Sequence, residues 1–384
     1  MKYLILGYGI AGKTAAQNIK FFDQSAEITI VTDSGKDFYF RPNLTGLLGK
    51  NDSFSEVISC NNETLDSVVV VEKKVVRIDD ENDQVILEDK SVIPYDKLLI
   101  AIGNEIDFPQ KKGIEKKDVL GLSRLSDFLE FREKLGNYSK ISVIGGGFLG
   151  VEIALVLKEM GKSVNLIERE KQLMKSHLDW HASELIMTSL IKSGIEVITN
   201  ENIHEITENE KSGKTVKFES GLDINCDAVI IATGVRFNSN ILGDSKIIAE
   251  KRILVNDNLQ TSVKNIYCAG DAAYHRGVVY GNWNAAREQG EIVGMIMAGE
   301  DVLYKGSVNE YRLKVKNIEI YCVGRTVNSS GEVLIAKEGC IYRKLIVDDD
   351  KPIGAIVLND PFTASIAEAV FKGEKSVVSL KKYF

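Results

Sequence analysis

Two stretches of the chain follow one pattern, and no other feature narrows its possible folds as tightly. The first runs Tyr3-Leu4-Ile5-Leu6 into Gly7-Tyr8-Gly9-Ile10-Ala11-Gly12. The second runs Ile141-Ser142-Val143-Ile144 into Gly145-Gly146-Gly147-Phe148-Leu149-Gly150. A short apolar run predicts a buried parallel strand, and glycines spaced G-x-G-x-x-G predict a tight turn into a helix. Such a turn aims backbone N–H groups and a positive helix end at one point, where a pyrophosphate can sit. Gly7 allows the sharp turn, Gly9 the close approach of phosphate, and Gly12 the packing of helix on strand. Asp33 lies 21 residues beyond Gly12, and Glu168 lies 18 beyond Gly150. A carboxylate in either place can accept hydrogen bonds from an adenosine ribose.

The first stretch alone permits two other readings. Gly7-x4-Gly12-Lys13-Thr14 also satisfies the P-loop pattern, and a lysine ahead of an apolar run suggests a signal peptide. The run is short and glycine-broken, with no small-residue cleavage site after it. A second repeated phrase decides against the P-loop: Ile100-Ala101-Ile102-Gly103 recurs as Ile231-Ala232-Thr233-Gly234. The glycine turns are 138 residues apart and these phrases 131. Two matched sets at nearly one offset indicate two copies of one nucleotide-binding architecture.

A length of 384 residues suggests two or three domains. With 44% apolar and 27% charged residues the composition is that of an ordinary globular protein. The net charge of −7 argues against a nucleic-acid partner. No apolar stretch approaches the roughly 20 residues needed to span a bilayer, so no membrane association and a cytoplasmic location are expected. Five cysteines include no C-x-x-C, and four histidines include no H-E-x-x-H. Scattered reduced thiols and no metal site are expected.

Residues 36–60 read as a mixed aromatic and polar connection. Residues 66–100 read as strands, SVVVVEKKVVRI, QVILE and YDKLLIAIG, with a hairpin at DDENDQ. Lys111 to Lys117 is a charged stretch suited to a domain boundary, and Leu125 to Leu135 has helical spacing. A helix follows the second fingerprint through Met160, then a strand from Ser163 to Ile167. Asn265-Ile266-Tyr267-Cys268-Ala269-Gly270-Asp271-Ala272-Ala273 reads as a strand ending in Gly-Asp before a helix, and Trp283, Ala286 and Gln289-Gly290 as helical. Beyond about residue 305 the pattern predicts a small antiparallel sheet closed by a helix from Phe362 to Lys372.

These residues resemble the flavin-dependent pyridine nucleotide-disulfide oxidoreductase superfamily over essentially the whole chain. The resemblance implies an α/β fold: two doubly wound, Rossmann-like dinucleotide domains of glutathione-reductase type and a small C-terminal α+β domain. The FAD domain would span 1–108 and 226–305, the NAD(P)H domain 109–225 and the last domain 306–384. It implies that Gly7, Gly9, Ile10, Ala11, Gly12 and Asp33 hold the ADP half of FAD, and that Asp271 after Gly270 meets the ribityl chain. Gly145, Gly147, Phe148, Leu149, Gly150 and Glu168 would hold NADH, with Glu168 favouring it over NADPH. Ala101, Ile102, Gly103 and Gly234, from the paired phrases, are further cofactor positions.

The family's redox-active cysteines are missing. No pair follows the first fingerprint, Tyr39-Phe40-Arg41-Pro42-Asn43-Leu44 holds no single cysteine, and Cys60 lies too far along. Arg41-Pro42-Asn43-Leu44 is instead similar to the RPxL phrase of rubredoxin and ferredoxin reductases, which makes Arg41 and Pro42 cofactor-binding positions. Trp283 with Ala286 and Gln289-Gly290 is similar to the phrase beside their flavin. The nearest likeness is to NADH:rubredoxin reductases. It implies hydride transfer from NADH to flavin N5 and release of single electrons to rubredoxin, with Lys50 and Glu152 an ion pair at the flavin. Alternatives are a ferredoxin reductase of an oxygenase, a peroxide-forming NADH oxidase, or an NADH-sensing protein like apoptosis-inducing factor. Rubredoxins are acidic, so docking calls for a local basic area. Residues 306–384 carry a net +2, and Arg312, Lys314, Lys316, Arg325, Arg343 and Lys344 are its candidate cations.

Overall fold

The computed structural model describes residues 1–45, 48, 68–114, 119–122, 124–209, 213–315 and 317–384. The chain forms two compact units: Met1–Leu44 with Asp52–Glu105 and Val235–Ser307, and Thr45–Asn51 with Ile106–Gly234 and Val308–Phe384.

The first unit is built on a five-stranded parallel sheet. Its order is Ile266–Cys268, Lys97–Ile100, Lys2–Leu6, Glu27–Thr32, Val68–Glu72. Strand period two separates the two faces. Tyr3, Ile5 and Leu99 pack with Ala15, Ile19 and Val293 of helices Ile10–Phe22 and Trp283–Ala298. Leu4, Leu6, Leu98 and Ile100 turn the other way, against Ile78, Val85 and Leu87. That second face is covered by an antiparallel meander, Val75–Asp79, Gln84–Leu87 and Val92–Pro94, rather than by helices. Each fully buried Leu, Ile or Val among these contributes about 1.5–3 kcal/mol. The two helices approach closely because Gly290 and Gly294 lack side chains: a Cβ there would lie 2.5 Å from the Ala11 carbonyl oxygen and 2.7 Å from that of Ala15.

The second unit repeats the plan. Its parallel sheet runs Glu196–Thr199, Ser163–Glu168, Lys140–Ile144, Ala228–Ile231, Leu120–Gly121. An antiparallel trio, Ile203–Glu208, Lys214–Phe218 and Asp223–Cys226, shares a core with Ile144, Ile167 and Ile231. The same unit contains a five-stranded antiparallel sheet ordered Glu310–Val315, Ile318–Gly324, Lys351–Leu358, Ile341–Asp348, Glu332–Glu338. Helix Pro361–Phe371 packs on it through Ala364, Ala367 and Val370.

Three expectations need correction. The run SVVVVEKKVVRI makes two strands, because Val68–Glu72 completes the parallel sheet while Val75–Asp79 begins the meander, whose hairpin to Gln84 is present. The return from the second nucleotide fold comes at Gly234, not 226: Ala228–Ile231 pairs in register with Ile141–Ile144 and is that sheet's own strand. Gly270-Asp271-Ala272 is a 3-10 turn that leads to strand Ala273–His275, and the helix begins only at Trp283.

Candidate functional site

The glycines of the two turns fall into matching roles. Gly7 has φ +101°, and a Cβ there would lie 2.3 Å from the Ala101 carbonyl oxygen; Gly145 has φ +113°, with 2.2 Å to that of Ala232. A Cβ on Gly12 would strike the Gly7 carbonyl oxygen at 2.1 Å, and one on Gly150 that of Gly145 at 1.8 Å. Gly9 and Gly147 differ from these, since a Cβ on either would meet no atom of the described residues within 4 Å. Each is the N-cap of its helix, with no side-chain cap and no acidic residue in the first turn. The first N–H groups of both helices are thus directed at open space of the kind an anionic phosphate fills. Ile10, Ala11, Phe148 and Leu149 make up the opening turns of those helices.

In the first unit, Asp33 is exposed just past strand Glu27–Thr32, whose Val31 is paired with Leu6. Gly270 sits by Ala11, a Cβ on it lying 3.3 Å from the Ala11 Cβ. The Gly270 N–H donates to Oε1 of buried Gln289 at 2.7 Å, which ties this turn to the helix. Burial pushes the Asp271 carboxyl upward, with Arg41, Arg252 and Asn104 acting against that shift. Asn104 Nδ2 donates to Asp271 Oδ2 at 2.9 Å, while buried Asn104 Oδ1 has no hydrogen-bond partner among the described residues. Residues Ala101, Ile102 and Gly103 lead directly from strand Lys97–Ile100 to this asparagine. Arg41 and Pro42 open a 3-10 turn. Trp283 packs against Phe40, ring centroids 4.6 Å apart, and more loosely against Phe38. Lys13, the would-be P-loop lysine, is buried with its ammonium 4.2 Å from the Phe38 ring centre.

In the second unit, a cavity of about 460 Å³ opens at the second turn, lined by Gly145, Gly147, Glu168, His177 and Gly234 among others. Glu168 Oε2 accepts from the Gly146 N–H at 2.7 Å and Oε1 from the Glu170 N–H at 2.9 Å. Arg169 beside it is exposed. Phe148 stacks on Tyr311 with ring centroids 5.6 Å apart, and His177 meets both rings edge-on. Burial holds the His177 imidazole below its usual pKa.

The family profile for pyridine nucleotide-disulphide oxidoreductases matches residues 1–290. The chain belongs to that family. A second profile, the rubredoxin NAD+ reductase C-terminal domain, matches residues 311–372. The chain is 30% identical to the nitrite reductase [NAD(P)H] of Bacillus subtilis, over 93% of its own length and 45% of the relative's. With the NADH-rubredoxin oxidoreductase of Clostridium acetobutylicum it shares 29% identity over 94% of its own length and 91% of the relative's. The crystal structure of NADH:rubredoxin oxidoreductase from that organism superposes with a TM-score of 0.80 at 27% identity, covering 98% of this chain and 96% of that one. The chain thus spans under half the length of the first relative and nearly all of the second.

Membership of this family brings FAD and a nicotinamide dinucleotide as cofactors. The residues fit both: among the described residues, two helix ends behind open glycines have no side-chain cap, and the polar atom Asn104 Oδ1 beside Asp271 is unsatisfied.

Lys50 lies outside the described residues, so the expected Lys50–Glu152 pair does too. Glu152 Oε1 accepts a hydrogen bond from the Thr45 hydroxyl, and burial raises its carboxyl despite that bond. Thr45, Asn104 and Tyr311 were not singled out in the sequence. Only Asn104 had a local signal, its place directly after Ala101-Ile102-Gly103. The candidate docking cations are also altered. Arg343 is paired with Asp360 and Lys344 with Asp179, both largely buried, Arg312 is paired with Glu368, and Lys316 lies outside the described residues.

Proposed function

We propose that this chain takes hydride from NADH and passes the electrons singly to a small iron–sulfur carrier, with rubredoxin the acceptor that best suits it. The observation that carries this reading is the state of its thiols. Cys226, Cys268 and Cys322 are buried, with burial raising each thiol pKa, and exposed Cys340 closes a turn between strands Glu332–Glu338 and Ile341–Asp348. Among the described residues no cysteine pair is available to relay electrons onward. Flavin supplies two-electron acceptance and one-electron release, so an iron–sulfur partner needs no thiol. The chain's own residues bind and orient. The turns at Gly9 and Gly147 receive the pyrophosphates, Asp33 and Glu168 the adenosine riboses, and Asp271 with Asn104 the ribityl hydroxyls. Arg41, Pro42 and Trp283 form the flavin-side wall. Lys50 with Glu152 sets the charge near the flavin, Glu152 being held in place by Thr45.

The match to the clostridial oxidoreductase along nearly its full length supports rubredoxin over the alternatives. A second reading, favoured by the match to less than half of a nitrite reductase, hands the electrons to an associated reductase polypeptide. Stopped-flow reoxidation of the NADH-reduced protein by rubredoxin, by ferredoxin and by O2 tests the proposal. Rubredoxin is expected to react fastest. If O2 outpaces both carriers, the chain is an oxidase and the proposal fails. A reduced form that persists with every oxidant points to the sensing role.

A further inference from the structure

The segment between strand Ser163–Glu168 and helix Trp180–Lys192 forms one wall of the second cavity, through Glu170, Gln172, Met174 and His177. It is an irregular loop, held locally by turn bonds such as that from the Leu178 N–H to the Met174 carbonyl at 2.9 Å. Met174 has φ +51°, and its N–H donates to the Gly146 carbonyl at 2.9 Å. A further restraint comes from residues more than a hundred positions away, in the antiparallel sheet of the same unit and the turn that follows its second strand. The Thr326 hydroxyl donates to the His177 carbonyl at 2.7 Å. The Tyr342 hydroxyl donates to Asp179 Oδ2 at 2.6 Å, and Lys344 Nζ lies 3.1 Å from the same oxygen. Asp179 Oδ1 meanwhile caps the helix by accepting from the Ala182 N–H at 3.0 Å. Tyr311, from that sheet's first strand, packs on both His177 and Phe148.

The loop is therefore held at its far end by a carboxylate whose two oxygens serve different elements. Burial alone would raise the Asp179 carboxyl, yet the bonds from Tyr342, the Ala182 N–H and Lys344 hold it below the usual range. The side chains of Lys344 and Asp179 are 13% and 23% exposed, so solvent screens this pair less than a surface pair.

We infer that Thr326, Tyr342 and Lys344 of the antiparallel sheet and its turn are positioning residues for the NADH-binding loop, so that this sheet is a working part of the nicotinamide dinucleotide site. The inference rests on the proposed use of the cavity for NADH. A loop left free to sample other conformations binds its ligand more weakly, in proportion to the population of the competent one. The chemical step is unaffected once the ligand is in place, since none of the three residues belongs to the reacting groups.

The test compares the FAD-loaded parent with Thr326→Val, Tyr342→Phe, Lys344→Met and Lys344→Arg by anaerobic stopped-flow reduction with NADH. The NADH dissociation constant is expected to rise about tenfold in Lys344→Met, a change of about 1.4 kcal/mol. It should rise severalfold in the two milder variants, with the limiting reduction rate within about twofold of the parent, and Lys344→Arg should recover most of the loss. Hydrogen exchange at amides 169–179, measured without NADH, should quicken in the same order. If Lys344→Met does not fold, Thr326→Val and Tyr342→Phe decide the matter. Unchanged dissociation constants and exchange in variants of an NADH-reducible parent overturn the inference alone, as does a limiting rate that falls as far as affinity. A parent whose flavin NADH does not reduce overturns the cavity's assignment and the inference together.

Discussion

Glu168 is a carboxylate already committed to its own loop, bonded to the Gly146 and Glu170 N–H groups, yet its oxygens keep lone pairs for a ribose 2′-hydroxyl. A 2′-phosphate would instead meet like charge. Glu168→Ala is expected to shrink the ratio of kcat/KM for NADH over NADPH by about tenfold or more, since bonds to charged groups contribute about 1.5–3 kcal/mol. Steady-state kinetics with both nucleotides measures this, and an unchanged ratio assigns the preference elsewhere. Glu152 allows a test by pH. Burial raises its folded-state pKa above the ordinary value of 4.5. Its contribution to stability is present below that value and is lost as pH rises through the folded-state pKa. With Lys50 replaced by Met to remove the proposed cation, Glu152→Gln should therefore gain stability at pH 8 and not at pH 4. Urea midpoints at the two pH values check this, and a gain equal at both contradicts the burial argument.

At the scale of elements, the glycine turns separate folding from binding. Gly12 is needed by the protein itself, because a Cβ there would lie 2.1 Å from the Gly7 carbonyl oxygen; Gly9 has no such neighbour among the described residues. Gly12→Ala should destabilise the FAD-free chain by about 1–3 kcal/mol or more, as overpacking does, which a lowered urea midpoint would show. Gly9→Ala, whose φ of −77° suits alanine, should leave that midpoint within error and weaken FAD binding at least about tenfold. If both variants lose stability alike, the open space at Gly9 is not a ligand cradle. Helix Pro361–Phe371 depends on a more distant partner. Asp360 caps it through the Thr363 N–H and is held by Arg343 Nε at 2.6 Å. With side chains 17% and 11% exposed, removal of the cation by Arg343→Met should cost about 3 kcal/mol in unfolding free energy.

For the whole molecule, a net charge of −7 and an acidic carrier would repel one another, so association depends on a local excess of cations. Arg343 and Lys344 are engaged in holding structure and are unsuited to that role. Lys314, with Glu319 at 3.9 Å, and exposed Arg325 are the better candidates. Rubredoxin reduction should slow as salt shortens the Debye length to about 8 Å at 0.15 M, and Lys314→Glu with Arg325→Glu should flatten that dependence. A rate that ignores both salt and charge reversal rules out docking on this sheet. No helix among the described residues is long and apolar enough to cross a membrane.

The sequence by itself determined both strand–turn–helix glycine turns, because their requirements are local. Positive φ at Gly7 and Gly145, and the approach of Gly12 to Gly7, are set within six residues and leave a signature in glycine spacing. The repeated phrases Ala101-Ile102-Gly103 and Ala232-Thr233-Gly234 were legible for the same reason, each following a strand beside its own fingerprint strand. Taken as a repeat, they already implied that Gly234 closes the second fold as Gly103 closes the first. The boundary at 226 missed that. What only the tertiary structure decided were pairings across long separations. Thr45 meets Glu152 over 107 residues, and Tyr342 meets Asp179 over 163. Hydroxyls and lysines of that kind stand at ordinary strand and loop positions, with no spacing that marks them. Their partners are chosen by topology, which brings a strand edge against a loop, and by the cost of leaving a buried carboxylate unpaired.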